Sequence, residues 1–496
     1  MPKVHGERTN KQEVSMSRET VTAHRWIRDD ASSDLYTTLE DRGRCYLRRN
    51  LRALDQYRSH LQTEEADLLD IASAVFGSDR LARRPNGFTA NKLDWARHLQ
   101  VEVPVRNASF WSDRIVTDGL CQVLKELTDD TWSFTFRESI PSTPSMAQLR
   151  FRPAPGGVAL FSGGLDSLAG VLHLRQAEKL QRLRLVSVSS NSHIGHLQLE
   201  TFHALRKSVG GDLEQFSFNI NHKYADTQPA DPSVANKPSR TLKQQGRRQR
   251  ARSFFYFVIA TILARRTGSD RIYVLENGVT SLNLPISPLL ASTRVTRTTH
   301  PLVLLSFERF IQSALNWPSF RVELPFLFHT KAQLVKPFAE QYADLIAKTV
   351  SCARVLNGPW CGTCTACLLR RQVLWSVGLA DLDRGEQPPG GKSLTDIFAT
   401  FSEPNGKIMR WYFLATLHHV AELLRDPNVV TSNPTVLRAA VGWAGARGLD
   451  ASSVLSQFVD LHRRYAQEWK DVLRRASQQY SAVRDLLARD TLMESL

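Results

Sequence analysis

The sequence predicts an α/β protein, and three local patterns lead to this fold class. Residues 158–161 form an apolar strand that ends in a loop of small residues, and residues 168–174 after the loop are patterned as a helix. An apolar stretch that starts near Arg252 has the pattern of another helix, and residues 271–275 after it form another short strand. Strands that alternate with helices are typical of a parallel sheet covered by helices.

The loop after the first of these strands reads S-G-G-L-D-S and is suited to binding a phosphate group. Its adjacent glycines, Gly163 and Gly164, let the backbone turn tightly and approach a ligand. The helix after the loop directs its free N–H groups and the positive end of its dipole at the same place. Ser162 and Ser167 add hydroxyl donors, and Asp166 offers a carboxylate to Mg²⁺. No lysine follows the glycines, which excludes the G-x-x-x-x-G-K-[ST] loop.

Four of the six cysteines form a cluster with the spacing C-x8-C-x2-C-x2-C. They are Cys352, Cys361, Cys364 and Cys367. Gaps of two residues let neighbouring thiolates turn onto one ion, and four sulfurs without an open position describe a closed structural Zn²⁺ site. Iron–sulfur ligation is the alternative. The start of the sequence does not resemble a secretory signal, so we expect reduced thiols and a cytoplasmic location rather than a disulfide framework.

The hexapeptide S-G-G-x-D-S resembles the pyrophosphate loop of the ATP pyrophosphatase (PP-loop) superfamily. The resemblance implies a doubly wound parallel sheet of the adenine nucleotide alpha hydrolase-like type. It also implies that ATP is cleaved between its α- and β-phosphates, with AMP as a product. The residues implied to bind ATP are Ser162, Gly163, Gly164, Asp166 and Ser167.

The loop and the cysteine cluster together resemble the 7-cyano-7-deazaguanine synthases (QueC). The tail S-C…C-G-x-C-x-x-C-x-x-R ends at Arg370, and the resemblance spans about Gly157 to Gly378. Arg252 matches a helix start of that family, and Lys331 matches a lysine just before a helix. The resemblance therefore implies catalytic roles for these two cations, beside Asp166 and Ser167 of the loop, although each cation could instead be an ordinary surface group.

The segment after the strand at 271–275 departs from the family pattern. Glu276 and Asn277 follow a strand end, where open α/β sheets bind ligands, so they are candidate substrate residues. Glu276 could orient a base edge or only cap the next turn. Asn283 stands where the family has an aspartate, and the family's Y-P-D-C element is absent. The base that this segment would hold is therefore left open.

The resemblance implies an ATP-dependent, C–N bond-forming ligase that uses ATP, Mg²⁺ and Zn²⁺. A 7-carboxy-7-deazaguanine-like acid would be adenylated, and an amine would then give an amide or, after a second activation, a nitrile. Extra modules at both ends resemble the larger QueC-like proteins of bacterial antiphage systems, which implies that a deazaguanine is made for, or attached to, a partner protein. The alternatives are a PP-loop enzyme that adenylates an RNA base and a non-catalytic nucleotide-sensing module.

The charge distribution suggests further partners. The formal net charge is +15, and residues 232–269 contain no acidic residue. The basic block at 237–252 could contact RNA, a nucleotide or an acidic protein, or it could be a solvated insertion. The sequence contains no apolar run of membrane-spanning length, so no membrane partner is expected.

Composition and patterning divide the chain into five segments. They are a disordered tail at 1–30, an α+β accessory module at 31–140, a linker at 141–156, the PP-loop domain at 157–380 and a helical module at 381–496. In the accessory module we predict helix across 34–75 and strands at 99–105 and 132–136. In the last module we predict helices at 394–402, 406–425, 434–447 and 451–489, for docking or oligomerisation.

Overall fold

The described part of the chain folds around two β-sheets. The computed structural model describes residues 21–28, 34–39, 43–54, 61–82, 96–138, 156–189, 192–224, 249–286, 297–352, 364–383, 406–479, 483–485 and 487. The strands are β1 (Val21–Arg25), β2 (Ile27–Arg28), β3 (Leu35–Leu39), β4 (Gly43–Asn50), β5 (His98–Val105), β6 (Thr131–Glu138), β7 (Gly157–Leu160), β8 (Arg182–Ser189), β9 (Asp212–Tyr224), β10 (Arg271–Tyr273) and β11 (Arg321–Glu323). The large sheet has the order β11-β10-β7-β8-β9-β4-β3-β2, and the small sheet has the order β1-β5-β6.

The large sheet combines parallel and antiparallel strands. β11, β10, β7, β8 and β9 are parallel to one another, which confirms the predicted α/β class with a parallel sheet. β4 joins β9 in antiparallel register, with Asn50 opposite Asn219, and β3 and β2 continue the antiparallel part. The chain runs outward from β7 through β8 and β9, and then in the other direction through β10 and β11. In open α/β sheets, ligands bind at the carboxyl ends of the strands beside such a reversal.

Helices cover both faces of the large sheet. The α-helices among the described residues are α1 (Thr63–Leu81), α2 (Ala108–Trp111), α3 (Arg114–Thr128), α4 (Leu165–Gln176), α5 (Ser192–Val209), α6 (Arg252–Arg266), α7 (Gly278–Leu282), α8 (Pro301–Ala314), α9 (Lys331–Val335), α10 (Ala343–Ala347), α11 (Thr365–Ser376), α12 (Gly406–Arg425), α13 (Pro434–Arg447) and α14 (Ala451–Gln479). One apolar core contains side chains of α4, α5, α9 and α10, and another contains side chains of α1, α3, α6, α8 and α12 to α14. Right-handed crossovers on the two sides of β7 place helices on opposite faces in this way.

The prediction of a helix across residues 34–75 is wrong for its first half. β3 and β4 occupy part of this segment, and α1 begins only at Thr63. In β4, Cys45 and Leu47 are buried, and Tyr46 between them is more exposed. This alternation is that of a strand with one buried face, and the leucines of the segment fit a period of two as well as a helical period.

The prediction of a disordered tail over residues 1–30 is wrong for residues 21–28. These residues form β1 and β2, and β1 pairs in parallel with β5. The Trp26 side chain is buried, and its indole N–H donates to Ser78 Oγ of α1 at 2.9 Å. Burial of this large aromatic side chain stabilises a segment whose polar composition had indicated disorder. Residues 1–20 lie outside the described residues.

The strands predicted at 99–105 and 132–136 are confirmed as β5 and β6. α1 packs against β5 and also against α6, while α3 packs against β6 and also against α8. Helices α1 and α3 therefore lie between the small sheet and helices α6 and α8, and the two sheets also contact each other through β1 with β3 and β2 with β5. The predicted linker lies outside the described residues except for Gly156.

Helices α12, α13 and α14 lie where the sequence predicts helices in the C-terminal part, and the helix predicted at 394–402 lies outside the described residues. Phe458, Tyr465, Trp469 and Val472 of α14 are buried, at the steps of three, four and seven residues that keep side chains on one helix face. α14 packs through this face against α7, α11, α12 and α13. Among the described helices, none is both long enough and apolar enough to cross a bilayer.

Candidate active site

The S-G-G-L-D-S loop connects β7 to α4 at the carboxyl end of β7. Gly163 has a φ of +73°, in the left-handed region that favours glycine, and Gly164 is the N-cap of α4. Gly164 N donates to Ser162 Oγ at 3.2 Å, and Ser167 Oγ donates to the Gly164 carbonyl at 2.9 Å. The two hydroxyl oxygens are 3.2 Å apart. They hold a tight turn in front of the first N–H groups of α4, where a helix attracts a phosphate group.

Neighbouring segments hold this loop from two sides. Val350 N donates to the Gly163 carbonyl at 3.2 Å, so the chain just before Cys352 is tied to the loop. On the other side, a Cβ added to Gly163 would lie 3.2 Å from Gln198 Cα of α5. The loop therefore has little room for a side chain at this position.

Lys331 and Asp166 form a buried ion pair beside the loop. Lys331 Nζ lies 3.1 Å from Asp166 Oδ2, and the two side chains are 10% and 9% exposed. Lys331 is the first residue of α9, whose N-cap is Thr330. Gln333 N donates to Thr330 Oγ1 at 3.1 Å, and Thr330 N donates to Gln333 Oε1 at 3.0 Å. This reciprocal capping fixes the start of α9 and therefore the position from which the Lys331 side chain extends.

Asn277 joins Asp166 to the segment that follows β10. Its Nδ2 group lies 3.0 Å from Asp166 Oδ2, 3.3 Å from Glu276 Oε1 and 2.8 Å from Thr280 Oγ1. Its Oδ1 atom accepts from Thr280 N at 3.1 Å, and Asn277 is thereby the N-cap of α7. The Asn277 side chain is fully buried. One amide thus fixes the helix start and orients two carboxyl groups.

The carboxyl groups of Glu276 and Asp166 lie against each other. Burial raises the pKa of Glu276 well above its usual range, the negative charge of Asp166 raises this pKa further, and Lys331 lowers it. Two carboxylates this close do not both ionise readily. A side-chain hydrogen bond with Asp166 also raises the pKa of Glu276, so its surroundings favour the neutral acid more than those of an exposed glutamate do.

The residues around Asp166 fit a nucleotide phosphate and its magnesium ion. Asp166 Oδ1 is buried and has no hydrogen-bond partner among the described residues. A carboxylate oxygen with unused lone pairs, facing a helix start, is a ligand that Mg²⁺ accepts. Lys331 adds a positive charge at the same carboxylate.

Arg252 stands apart from this group. It is the first residue of α6 and is exposed, and within the described residues it has no hydrogen bond or ion pair with Asp166, Lys331 or Glu276. Asp79 Oδ2 accepts from the backbone N–H groups of Arg250 and Ala251, just before α6, at 2.7 Å each. A carboxylate of the protein thus already binds this helix start. Residues 237–248 of the basic block lie outside the described residues.

Asn283 ends helix α7. It is the C-cap of α7, with a φ of 43°, and its N–H donates to the Val279 carbonyl at 2.9 Å. Asparagine adopts this left-handed conformation more readily than most residues.

Three of the four clustered cysteines lie together at the start of α11. The sulfurs of Cys352, Cys364 and Cys367 are all within 4.8 Å of one another, and the last two are 3.5 Å apart. Sulfurs bound to one tetrahedral Zn²⁺ would be roughly 3.8 Å apart, given a Zn–S distance of about 2.3 Å. The donor set therefore fits zinc. Cys361 lies outside the described residues.

A comparison with known protein families matches the region that contains these features. Residues 156–378 match the family model described as "Queuosine biosynthesis protein QueC". These residues form a QueC-like domain. A 7-cyano-7-deazaguanine synthase from Nitrosococcus oceani is 24% identical over 238 residues, which cover 47% of this chain and 98% of that relative. The resemblance inferred from the loop and the cysteine tail is thereby confirmed.

The sequence analysis missed Thr330, the N-cap that fixes the start of α9 just before Lys331. Thr330 and Gln333 read T-x-x-Q, and this pattern is a capping-box signature that marks the start of α9. That signal alone would have placed Lys331 in the first turn of a helix. It would not have paired Lys331 with Asp166, which is far away in the sequence.

Proposed function

We propose that this chain uses ATP to activate a 7-carboxy-7-deazaguanine-like acid and then forms a C–N bond at the activated carbon. The observation that carries the proposal is the buried contact of Asp166 with Lys331 and Asn277, directly behind the S-G-G-L-D-S loop. It lies in a domain similar to proteins named 7-cyano-7-deazaguanine synthases. The acid and the ligase reaction come from this similarity and from the chemistry of the group.

The first step would convert a poor acyl donor into a good one. A carboxylate oxygen of the acid attacks the α-phosphorus of ATP, the bond from that phosphorus to the bridging oxygen breaks, and pyrophosphate leaves. Gly163, Gly164 and the N–H groups of α4 would bind the leaving phosphates, and Ser162 and Ser167 would hold the loop in its turn. Asp166 would hold Mg²⁺, which neutralises phosphate charge, and Lys331 would stabilise negative charge that develops on the phosphates.

The second step would transfer the acyl group to nitrogen. An amine attacks the carbonyl carbon of the acyl adenylate, AMP leaves with the C–O bond electrons, and the amine loses a proton. Ammonia gives an amide, and a second ATP-dependent activation of the amide oxygen, followed by loss of AMP, gives a nitrile. Glu276 would orient the acid beside the α-phosphate, and the buried Asn277 would hold the carboxyl groups of Glu276 and Asp166 in place.

We infer that the amine belongs to a partner protein and that the reaction serves antiphage defence in the cytoplasm. The aligned region covers 98% of the Nitrosococcus oceani relative but only 47% of this chain, so the flanking parts have no counterpart in that relative. Their helices α12 to α14 pack against one another and against α7, α8 and α11 of the QueC-like domain, and they would provide the surface for docking.

The decisive experiment is product analysis by mass spectrometry after incubation with MgATP and 7-carboxy-7-deazaguanine. Parallel reactions contain ammonia, tRNA or proteins encoded next to the gene, and Asp166→Ala is the inactive control. We expect AMP formation that depends on the acid, with the acid consumed. A mass increment on a protein, rather than on ammonia, would support the protein amine. AMP that depends on tRNA and not on the acid would instead support adenylation of an RNA base.

A further inference from the structure

The long C-terminal helix α14 contacts the elements that carry the candidate site residues. Arg464 Nη2 donates to the Phe328 carbonyl at 2.8 Å, just before α9. Further along the helix, Arg475 Nη2 donates to the Trp375 carbonyl of α11 at 2.8 Å. Between these two contacts, Glu468 faces the QueC-like domain and is largely enclosed.

Glu468 links two helices of the QueC-like domain through its two carboxyl oxygens. Thr330 Oγ1 donates to Glu468 Oε1, and Gln372 Nε2 donates to Glu468 Oε2 at 3.2 Å. Thr330 is the N-cap of α9, immediately before Lys331. Gln372 lies on α11, the helix whose first turn contains Cys367. A single carboxyl group of the C-terminal helix therefore holds the lysine helix and the cysteine helix together.

We propose that Glu468 is a positioning residue for the reaction, acting from α14 through Thr330 on Lys331. This role rests on the proposed function of the site. The C-terminal part of the chain is then a component of the catalytic unit rather than only a docking module. α14 lies outside residues 156–378, the part of the chain that matches the family model, so this support is an addition to the QueC-like domain.

The hydrogen-bonding capacity of Thr330 explains why an acceptor is needed at this position. A threonine hydroxyl has one proton and two lone pairs. Thr330 Oγ1 accepts from Gln333 N, which leaves its proton for Glu468. Ionised Glu468 accepts this proton and that of Gln372 together, whereas a protonated carboxyl carries a proton on one of these oxygens and is a weaker acceptor. The ionised form is therefore the form that holds α9 more strongly.

The groups around Glu468 make this acceptor sensitive to pH. Burial raises the pKa of Glu468 to about 7, the bonds from Thr330 and Gln372 and the charge of Arg464 lower it, and Asp471 raises it. Both protonation states are then populated near neutral pH. If the ionised form positions Lys331, activity should rise with pH through this range.

The test compares Glu468→Ala and Glu468→Gln with Arg475→Ala, which removes another hydrogen bond between α14 and α11. With full zinc content, we expect Glu468→Ala to lower kcat for AMP formation by about 10- to 100-fold, with the KM for ATP changed less. Glu468→Gln is the neutral isostere of the protonated carboxyl, so its kcat should stay near the low value of the wild type below pH 7 and should not rise with pH. Arg475→Ala should lower the melting temperature while kcat stays close to that of the wild type. Equal kcat in Glu468→Ala and Arg475→Ala, or an unchanged pH profile in Glu468→Gln, would overturn the proposal.

Hydrogen–deuterium exchange gives a readout that does not depend on the acid. We expect amides 331–335 to exchange faster in Glu468→Ala than in the wild type, and Arg475→Ala to leave them unchanged. If the wild type made no AMP from 7-carboxy-7-deazaguanine, the proposed function would fail, but this comparison would still decide whether Glu468 holds α9. Identical exchange of these amides in all three proteins would refute the positioning role.

Discussion

Lys331 Nζ lies 3.1 Å from Asp166 Oδ2, although one residue begins α9 and the other lies in the first turn of α4. Both side chains are almost completely buried, so water hydrates neither charge effectively. A buried pair of this kind rarely adds stability relative to apolar residues, because both ions lose their hydration. This buried pair lies beside a phosphate-binding loop, and Asp166 Oδ1 is unpaired among the described residues. A bound ligand that interacts with these charged groups explains the arrangement better than a role in stability does.

Removal of either charge of this pair should reduce turnover much more than it reduces the stability of the fold. We expect Lys331→Met, which keeps the aliphatic stem, to lower AMP formation by about 100-fold or more, as is usual when a group that stabilises developing charge is lost. Lys336→Met is the matched control, because Lys336 is an exposed lysine near the same helix. Steady-state kinetics together with zinc content and melting temperature measure the effect. Similar kinetics for the two variants would contradict a role for Lys331 at the phosphates.

Glu276 should tolerate replacement by its neutral isostere. Burial and Asp166 raise the pKa of Glu276, which favours the neutral acid, and Glu276→Gln is the isostere of that neutral form. A group whose pKa is raised on folding adds stability that is fully present below its unfolded pKa and is lost as pH rises through the folded pKa. We therefore expect Glu276→Gln to keep most activity at pH 7 and to lose less stability than the wild type at alkaline pH. A loss of activity comparable to that of Asp166→Asn would show instead that Glu276 works as a carboxylate.

Much of this site could be predicted from local sequence, but its connections could not. The S-G-G-L-D-S loop follows from six adjacent residues, and the cysteine cluster follows from its spacing. The pairing of Lys331 with Asp166 depends on a fold that brings distant segments together, and only the family resemblance suggested Lys331. The raised pKa of Glu276 depends on burial and on a neighbouring charge, neither of which a sequence pattern contains. The same applies to Glu468, whose partners lie on two other helices.

The phosphate-binding loop should lose activity when even one methyl group is added at Gly163, as in Gly163→Ala. An alanine there combines a φ of +73° with a Cβ 3.2 Å from Gln198 Cα. Gly378 is a suitable control, because it has a φ of +82° and a Cβ there would meet no atom within 4 Å. Both alanine variants bear the backbone strain, of about 1 kcal/mol, but only Gly163→Ala displaces the loop. We expect AMP formation to fall at least about tenfold more in Gly163→Ala. Equal losses in the two variants would argue against a phosphate-binding loop.

The cysteine cluster should hold about one zinc ion per chain, and its loss should destabilise α11. Cys364→Ser removes a buried ligand at the N-cap of that helix. We expect zinc content to fall and the melting temperature to drop by about 5 °C or more, because metal binding contributes directly to folding. Cys121→Ser is the control, since Cys121 is a partly buried thiol outside the cluster, and burial raises its pKa to about 11. Elemental analysis by mass spectrometry also distinguishes zinc from iron. A soluble Cys364→Ser variant with full zinc content would contradict the assignment.

Mild acid should destabilise the protein partly through His300. This histidine is the N-cap of α8, and its Nδ1 atom accepts from Leu302 N at 3.3 Å, which requires a neutral ring. Burial, and then the charges of Arg297 and Arg438, lower the pKa of His300 to about 3. Between pH 6.5 and about pH 3, His300 is protonated in the unfolded chain but not in the folded chain. The stability of the folded protein therefore falls as the pH is lowered through this range.

His300→Asn keeps a capping acceptor that cannot be protonated, so it should flatten this acid dependence. Its melting temperature should decline less than that of the wild type between pH 6.5 and 4.5. The slope that one such histidine contributes is at most about 1.4 kcal/mol per pH unit. His196→Asn is the control, because the His196 side chain is 67% exposed on α5. Parallel acid profiles for all three proteins would show that His300 is not the group that destabilises the fold.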